Sequence, residues 1–141
     1  PELAETLTQP FFFDRKGEVP EGKGPWYAMP VFHERPDGSV VALCDRSFID
    51  AAQRWPEVPR LSARQEAALD ALEALAASDA FRLDMALEPG DLQVLHSHTT
   101  LHARSAFEDA PGAPRHLLRL WVEPPDPVPL PEAFAERFGS V

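Results

Sequence analysis

The chain has 141 residues, which allows one domain with a hydrophobic core but not two ordinary domains. Hydrophobic residues make up 44% and charged residues 26%, as in soluble globular proteins rather than disordered ones. A formal charge of −10 argues against nucleic acid or an anionic membrane surface as a partner, and no apolar run approaches the roughly 20 residues of a membrane span. The single cysteine, Cys44, and a start without a signal-peptide pattern predict a cytoplasmic protein with no internal disulfide.

The first part of the chain predicts paired strands and a short helix behind an irregular start. Residues 1–24 show no sustained period and are broken by proline and glycine, so we expect the FFF run at 11–13 to anchor in a core. Segments 26–34 (WYAMPVFHE) and 39–44 (SVVALC) flank a PDG turn and predict two strands. A short helix is expected at 47–55 (SFIDAAQRW).

The clearest predicted element is a helix that begins after Ser62. Ser62 and Gln65 have the spacing of a capping box, in which each side chain accepts a hydrogen bond from a backbone N–H at the start of the helix. Apolar residues then recur at helical spacing and form one stripe. The stripe consists of Leu69, Leu72 and Leu75, joined by Ala68 and Ala76. We expect this helix to cover a sheet.

The remainder of the chain predicts further β-structure. Alternating apolar residues predict strands at 81–87, 92–97 and 115–123, with a turn at 88–91, before a proline-rich arm that ends in a short helix. Strands joined by tight turns with one helix across them are typical of a β-sandwich or a jelly roll. The sequence offers about five or six strands where a jelly roll has eight, so the predicted fold is incomplete.

The stretch LHSHTTLHAR holds three histidines that could bind a metal: His96, His98 and His102. On one straight strand, at about 3.3 Å per residue, His98 and His102 would lie roughly 13 Å apart. The ligands of one ion must lie within a few ångströms of one another. Either the backbone turns sharply near Thr99–Thr100, or only one histidine is a ligand. A helix would also bring His98 and His102 together, but the neighbouring residues favour β-structure.

Two arginines share one face of the predicted strand RHLLRLW. Arg115 and Arg119 point the same way as Leu117 and Trp121. Guanidinium groups on an apolar face require anionic partners, and arginine binds carboxylates through two parallel hydrogen bonds. This face could therefore hold one or two acidic ligands. The alternative is that some of the protein's own 23 carboxylates satisfy both arginines.

Three motifs give the chain a resemblance to a known family. They are PGDLQ at 89–93, LHARSAFED at 101–109 and RHLLRLW at 115–121. This run resembles the C-terminal half of the taurine catabolism dioxygenase (TauD/TfdA) family, and the segments QPFFFDR, MPVFHE and FIDAAQRWP also fit that half. The resemblance covers nearly the whole chain. It implies a mainly β fold with covering helices, namely the C-terminal part of a double-stranded β-helix (jelly roll), and a dioxygenase that uses Fe(II) and 2-oxoglutarate.

The resemblance also implies roles for three residues. His102 matches the distal histidine of an iron site formed by two histidines and one carboxylate. Arg115 matches the arginine that pairs with the far carboxylate of 2-oxoglutarate, and Arg119 matches one that reaches the acidic group of the substrate in several members. The implied reaction hydroxylates a small, anionic substrate with release of succinate and CO2. His96 and His98 are then neighbours of the site.

The chain departs from the family in its metal ligands. The family's first two ligands come as His-x-Asp, and none of the five histidines here has a carboxylate two residues on. A side chain that helps to hold 2-oxoglutarate from the early half is also absent, and His96 and Ser97 stand where the family usually has two asparagines. We therefore expect residues 1–141 to be the C-terminal portion of a single oxygenase domain. Its N-terminal half would lie in the same or another chain.

Two other functions stay open. A truncated, non-catalytic binding or interaction module of the same fold would explain the missing His-x-Asp directly, although half a β-helix would leave strand edges open. A zinc site formed by His96, His98 and His102 is the other alternative, which the spacing argument disfavours. A homo-oligomer is compatible with each.

Overall fold

A computed structural model describes residues 2–112 and 114–137 of the chain. The helices are α1 (Glu2–Leu7), α2 (Arg46–Ala52) and α3 (Ala63–Ala76). The strands are β1 (Pro10–Asp14), β2 (Trp26–Pro30), β3 (Phe32–Glu34) and β4 (Val40–Ala42). A 3-10 helix follows at Glu132–Arg137. Within these residues, no helix has the length and apolar character needed to cross a bilayer.

The core is built on an antiparallel hairpin of β1 and β2. Phe11 lies opposite Met29 and Phe13 lies opposite Tyr27. Phe11 and Phe13 are buried on one face, whereas Phe12 is half-buried on the other, as strand alternation requires. The predicted FFF anchor is therefore confirmed. It lies in a strand, however, within a stretch where the sequence predicted no regular element.

A second hairpin, formed by β3 and β4, confirms the strand predicted at 39–44, whereas the strand predicted at 26–34 is divided at Val31 into β2 and β3, which belong to different sheets. Phe32 lies opposite Ala42 in this antiparallel pair. Val31 joins the two hairpins and the first helix, because its N–H donates to the carbonyl of Leu7 and its carbonyl accepts from the N–H of Leu43, both at 3.0 Å. Val31 itself is fully buried. The two hairpins therefore share one core.

The two predicted helices are present. Asp45 is the N-cap residue of α2, and its carboxylate accepts a hydrogen bond from the backbone N–H of Ser47 at 3.0 Å. In α3 the capping box is confirmed, since Ser62 Oγ accepts from the N–H of Gln65 and Gln65 Oε1 accepts from the N–H of Ser62. These caps satisfy backbone donors that have no partner inside the helix.

The prediction that α3 covers a sheet is wrong, because α3 packs mainly against α1. α1 is about 9 Å long and α3 about 21 Å, at 1.5 Å per residue, so the shorter helix covers only part of the apolar stripe. Ala68 and Leu69 are buried and Leu72 is partly buried. Leu75 lies beyond this contact and is 55% exposed.

The structure has no strand at 81–87, 92–97 or 115–123, so the prediction of three strands there is wrong. Apart from residue 113, residues 77–131 are described and contain no helix or strand. A strand needs a neighbour to pair its backbone N–H and C=O groups, and none of the described residues in this stretch joins the two two-stranded sheets of β1 to β4 as a further strand. Large apolar side chains consequently remain exposed along this stretch, among them Phe81, Leu83, Leu92, Val94, Leu118, Leu120 and Val122. The jelly roll stays a prediction.

The 3-10 helix near the end of the chain returns to the core and confirms the predicted short helix. The ring of Phe134 is fully buried among the core residues. Glu136 accepts hydrogen bonds from Arg15 at 2.6 Å and from Lys23 at 3.2 Å, and Arg15 also stacks on Tyr27 at 4.5 Å. These contacts fasten the end of the described chain to β1 and β2.

A buried carboxylate ties β1 to the turn after α2. Asp14 is fully buried, and its oxygens accept from the guanidinium of Arg54 at 2.8 and 3.0 Å, from the indole N–H of Trp55 at 2.8 Å and from the backbone N–H of Lys16. Burial raises the pKa of Asp14, but these hydrogen bonds and the charge of Arg54 together hold the pKa below its ordinary value. The ionised carboxylate is therefore the stable form.

We predict that Asp14→Asn lowers the free energy of unfolding by about 2 kcal/mol, because charge-assisted hydrogen bonds are lost in a buried position. Since the pKa of Asp14 is lowered in the folded state, its stabilising effect is present above the unfolded value of about 3.9 and is lost as the pH falls below it. Urea unfolding followed by circular dichroism at several pH values measures both effects. Asp79→Asn, on an exposed residue, is the control and should change stability by less than about 0.5 kcal/mol. Equal stability of the Asp14 variant and the parent at neutral pH would contradict this prediction.

Candidate functional site

The segment that carries the three neighbouring histidines is tied to the core at β4. The backbone N–H of Ala42 donates to the carbonyl of His98 at 2.8 Å. A tight turn surrounds this contact, since the N–H groups of Thr99 and Thr100 both donate to the carbonyl of His96 at 3.1 Å. The sharp turn that the sequence offered as one of two alternatives is therefore present. It redirects the chain between His98 and His102.

His96 and His98 form a pair beside this turn. Their ring centroids lie 6.1 Å apart at an angle of 77°, and Thr99 Oγ1 lies 3.1 Å from His96 Nδ1. Burial lowers the pKa of His98, and the positive charges of His96, Arg137 and Arg35 lower it further. The neutral form of His98 is therefore favoured near neutral pH.

His102, the predicted iron ligand, contacts Arg119, the predicted substrate residue. Arg119 Nη2 lies 3.0 Å from His102 Nε2. Because a guanidinium has only N–H donors, His102 Nε2 must be the acceptor and its proton must be on Nδ1. The lone pair that accepts this hydrogen bond is the one that a metal ion would need. Arg119 therefore occupies the ligating position of His102 in this structure.

Aromatic rings support the arginines of this segment. Arg119 stacks on Trp121 with 4.5 Å from its Cζ to the ring centroid. Arg115 and Arg104 both stack on Phe107, each at 4.8 Å. The sequence had placed Arg115 and Arg119 on one face of a strand; the structure instead gives each arginine its own aromatic partner. The backbone N–H of Arg115 donates to the side chain of Asp109 at 2.8 Å, which closes the loop between them.

The structure thus brings together one predicted pair and adds two residues that sequence reasoning missed. His102 and Arg119 meet, whereas Arg115 lies with Arg104 on the ring of Phe107. The signal for Arg104 and Phe107 was present, because both fall inside the motif LHARSAFED and are three residues apart. Nothing in the spacing showed that Arg115 would reach the same ring.

Comparison with known proteins identifies the family. The model of the taurine catabolism dioxygenase TauD, TfdA family matches residues 1–121. The chain belongs to this family. FR-33289 synthase of Streptomyces rubellomurinus is 34% identical over 131 residues, which covers 86% of this chain and 37% of that protein. Uridine-5'-phosphate dioxygenase of an Amycolatopsis species is 30% identical over 125 residues, which covers 88% of this chain and 44% of that protein.

The resemblance that the motifs indicated is thereby confirmed. The share of the relatives' length that this chain spans bears on which metal ligands it can supply. The chain spans less than half the length of these two relatives. Within residues 2–112 and 114–137, no three side chains of His, Cys, Asp or Glu converge where they could hold a metal ion. The described residues therefore do not fit an iron centre by themselves. They also do not form the zinc site considered for His96, His98 and His102.

We predict that the neutral imidazole of His102 carries its proton on Nδ1, and that Arg119→Leu removes this preference. Two-bond ¹H–¹⁵N correlation spectra at about pH 8.5, where model imidazoles are neutral, distinguish the two tautomers. In the variant, Nε2 has lost its donor and should take up the proton in a substantial fraction of molecules. The ring signals of His116 serve as the internal control and should not change. An Nε2–H tautomer in the unmodified chain would show that the contact with Arg119 does not form.

Proposed function

We propose that the chain forms the C-terminal part of an Fe(II)- and 2-oxoglutarate-dependent dioxygenase. In the complete protein, this enzyme would hydroxylate a small, anionic substrate with release of succinate and CO2. The observation that carries the proposal is the match to a family of dioxygenases over residues 1–121. An anionic substrate is supported by the name of one relative, uridine-5'-phosphate dioxygenase, and by the basic character of the segment around His102.

The same proposal requires a partner for this chain. His102 is one metal ligand, and an iron centre of two histidines and one carboxylate needs two more. We propose that these come from the remaining half of the domain, in the same or another chain. The structure supports this in a second way, because the described residues at 77–112 and 114–131 expose many large apolar side chains and belong to no strand. Added strands would cover these side chains and complete a jelly roll.

Each predicted site residue has a chemical role in this proposal. His102 would offer its Nε2 lone pair once Arg119 releases it. Arg115 would hold the far carboxylate of 2-oxoglutarate, since a guanidinium matches a carboxylate with two parallel hydrogen bonds. Arg119 would move to the acidic group of the substrate. Bound Fe(II) would supply the oxygen chemistry. We further propose a cytoplasmic location for this protein.

A non-catalytic binding module is the second candidate function. The observation that favours it is the lack of three converging metal ligands in the part of the chain that the structure describes. The intact mass of the protein from its natural source separates the two candidates, and the native mass also reveals a homo-oligomer. A mass of 15.6 kDa with no second protein bound would favour the binding module. A chain more than twice that mass, or a co-purifying second chain, would favour the oxygenase.

We predict that Arg115→Ala weakens the binding of 2-oxoglutarate about 100-fold, which corresponds to about 2.7 kcal/mol, because a charged, two-point contact is lost. Isothermal titration of the protein as its source produces it, depleted of metal, measures this affinity. Arg82→Ala is the matched control, since Arg82 is an exposed arginine already held by Asp79 and Asp84. Unchanged affinity in Arg115→Ala would contradict the assignment of this residue.

We predict that His102→Ala abolishes the binding of Fe(II) under anaerobic conditions, because a site that needs three protein ligands loses one. Metal content after dialysis and the metal titration curve give the result. His116→Ala is the control and should retain full binding. A three-histidine zinc site predicts a different pattern, in which His96→Ala and His98→Ala lose metal as completely as His102→Ala does.

A further inference from the structure

Three arginines of the segment that carries the site lie over aromatic rings. Elsewhere in the chain, Arg15, Arg46, Arg54, Arg64 and Arg82 form ion pairs with carboxylates. Arg104, Arg115 and Arg119 have no carboxylate at ion-pair distance within residues 2–112 and 114–137, although the chain carries 23 acidic side chains. All three stack on aromatic rings instead.

Stacking leaves the donors of a guanidinium available. When a guanidinium lies flat on a ring, its five N–H donors point outward in its own plane. A carboxylate of the protein would have occupied those donors. Arg104 and Arg115 are therefore oriented by contacts that do not compete with an anionic ligand, whereas Arg119 also donates to His102.

Arg104 and Arg115 share a single ring. Each Cζ lies 4.8 Å from the centroid of Phe107, so the two guanidiniums are separated by at most about twice that distance. The nearby carboxylate of Asp109 accepts from the backbone N–H of Arg115 and helps to fix the position of that residue. The two cations repel each other, and an anion that lies between them would offset the repulsion.

We propose that Arg104 is a second guanidinium of the site in which Arg115 holds the far carboxylate of 2-oxoglutarate, and that Phe107 positions both arginines. This inference rests on the proposed function. A carboxylate has two oxygens and about four acceptor positions, so it accepts from one arginine in a two-point contact and still has room for a second. Arg119 does not share this role, because it stacks on Trp121 and bonds to His102.

Titration calorimetry with two keto acids tests the proposal on the protein as its source produces it. 2-Oxoglutarate carries the far carboxylate, whereas 2-oxobutanoate has the same keto acid end without it. We expect Arg104→Ala to lower the affinity for 2-oxoglutarate roughly tenfold, as the loss of one charge-assisted contact implies. The affinity for 2-oxobutanoate should not change. Arg104→Lys should recover part of the affinity for 2-oxoglutarate, because it restores the charge but not the two-point geometry.

Variants of Phe107 test the positioning role. Phe107→Leu removes the ring and should lower the affinity for 2-oxoglutarate at least as much as Arg104→Ala does. Phe107→Tyr keeps an aromatic face and should retain the parent affinity. A merely structural role for the side chain would instead affect both keto acids alike. Arg82→Ala is again the matched arginine control.

The outcomes separate this inference from the function on which it rests. If Arg115→Ala weakens the binding of 2-oxoglutarate but Arg104→Ala does not, the assignment of Arg104 as a second guanidinium is wrong and the proposed function stands. If neither variant changes the affinity, the proposed co-substrate site is itself wrong. If Arg104→Ala weakens both keto acids equally, the residue does not contact the far carboxylate, and the proposal is overturned.

Discussion

Backbone pairing between neighbouring strands decides which part of this chain has regular structure. β1 pairs with β2 and β3 pairs with β4, so the backbone groups between the paired strands are bonded and their apolar faces meet in one core. The described residues between 77 and 131 have equally apolar stretches, but none of them pairs as a strand with β1 to β4. The histidines and arginines of the site lie on this second stretch. Under the proposed function, their final arrangement would depend on strands from the remaining half of the domain.

Local signals predicted local structure well. The capping box at Ser62 is specified by residues three apart, and the buried anchor of Phe11 and Phe13 is specified by residues two apart, so both could be read from the sequence. The strands expected at 81–87 and 92–97 failed because a strand also depends on a distant partner, which alternation does not reveal. The helix α3 was predicted correctly, but its main packing partner, α1, arose in a stretch with no readable period.

The site shows the same division between local and distant information. Family motifs supplied roles for His102, Arg115 and Arg119, and the match over residues 1–121 confirms the family while leaving those roles as predictions. The contact between His102 and Arg119 joins residues 17 positions apart, and neither residue's neighbours indicate it. Phe107 as a shared platform for two arginines was likewise invisible, because it requires the loop closed by Asp109.

The fastening of the 3-10 helix has a consequence for how the site segment could join a partner. With Phe134 in the core and Glu136 bonded to Arg15, residues 77–131 form a loop whose two ends are both held by the same folded unit. The bond from Ala42 to His98 divides this loop into two shorter ones. The conformational entropy lost on closing a loop rises only with the logarithm of its length. The chain's own contacts already hold the segment to the core, so much of that entropy is lost before any partner binds. A partner that covers this segment would therefore have less of the chain left to order.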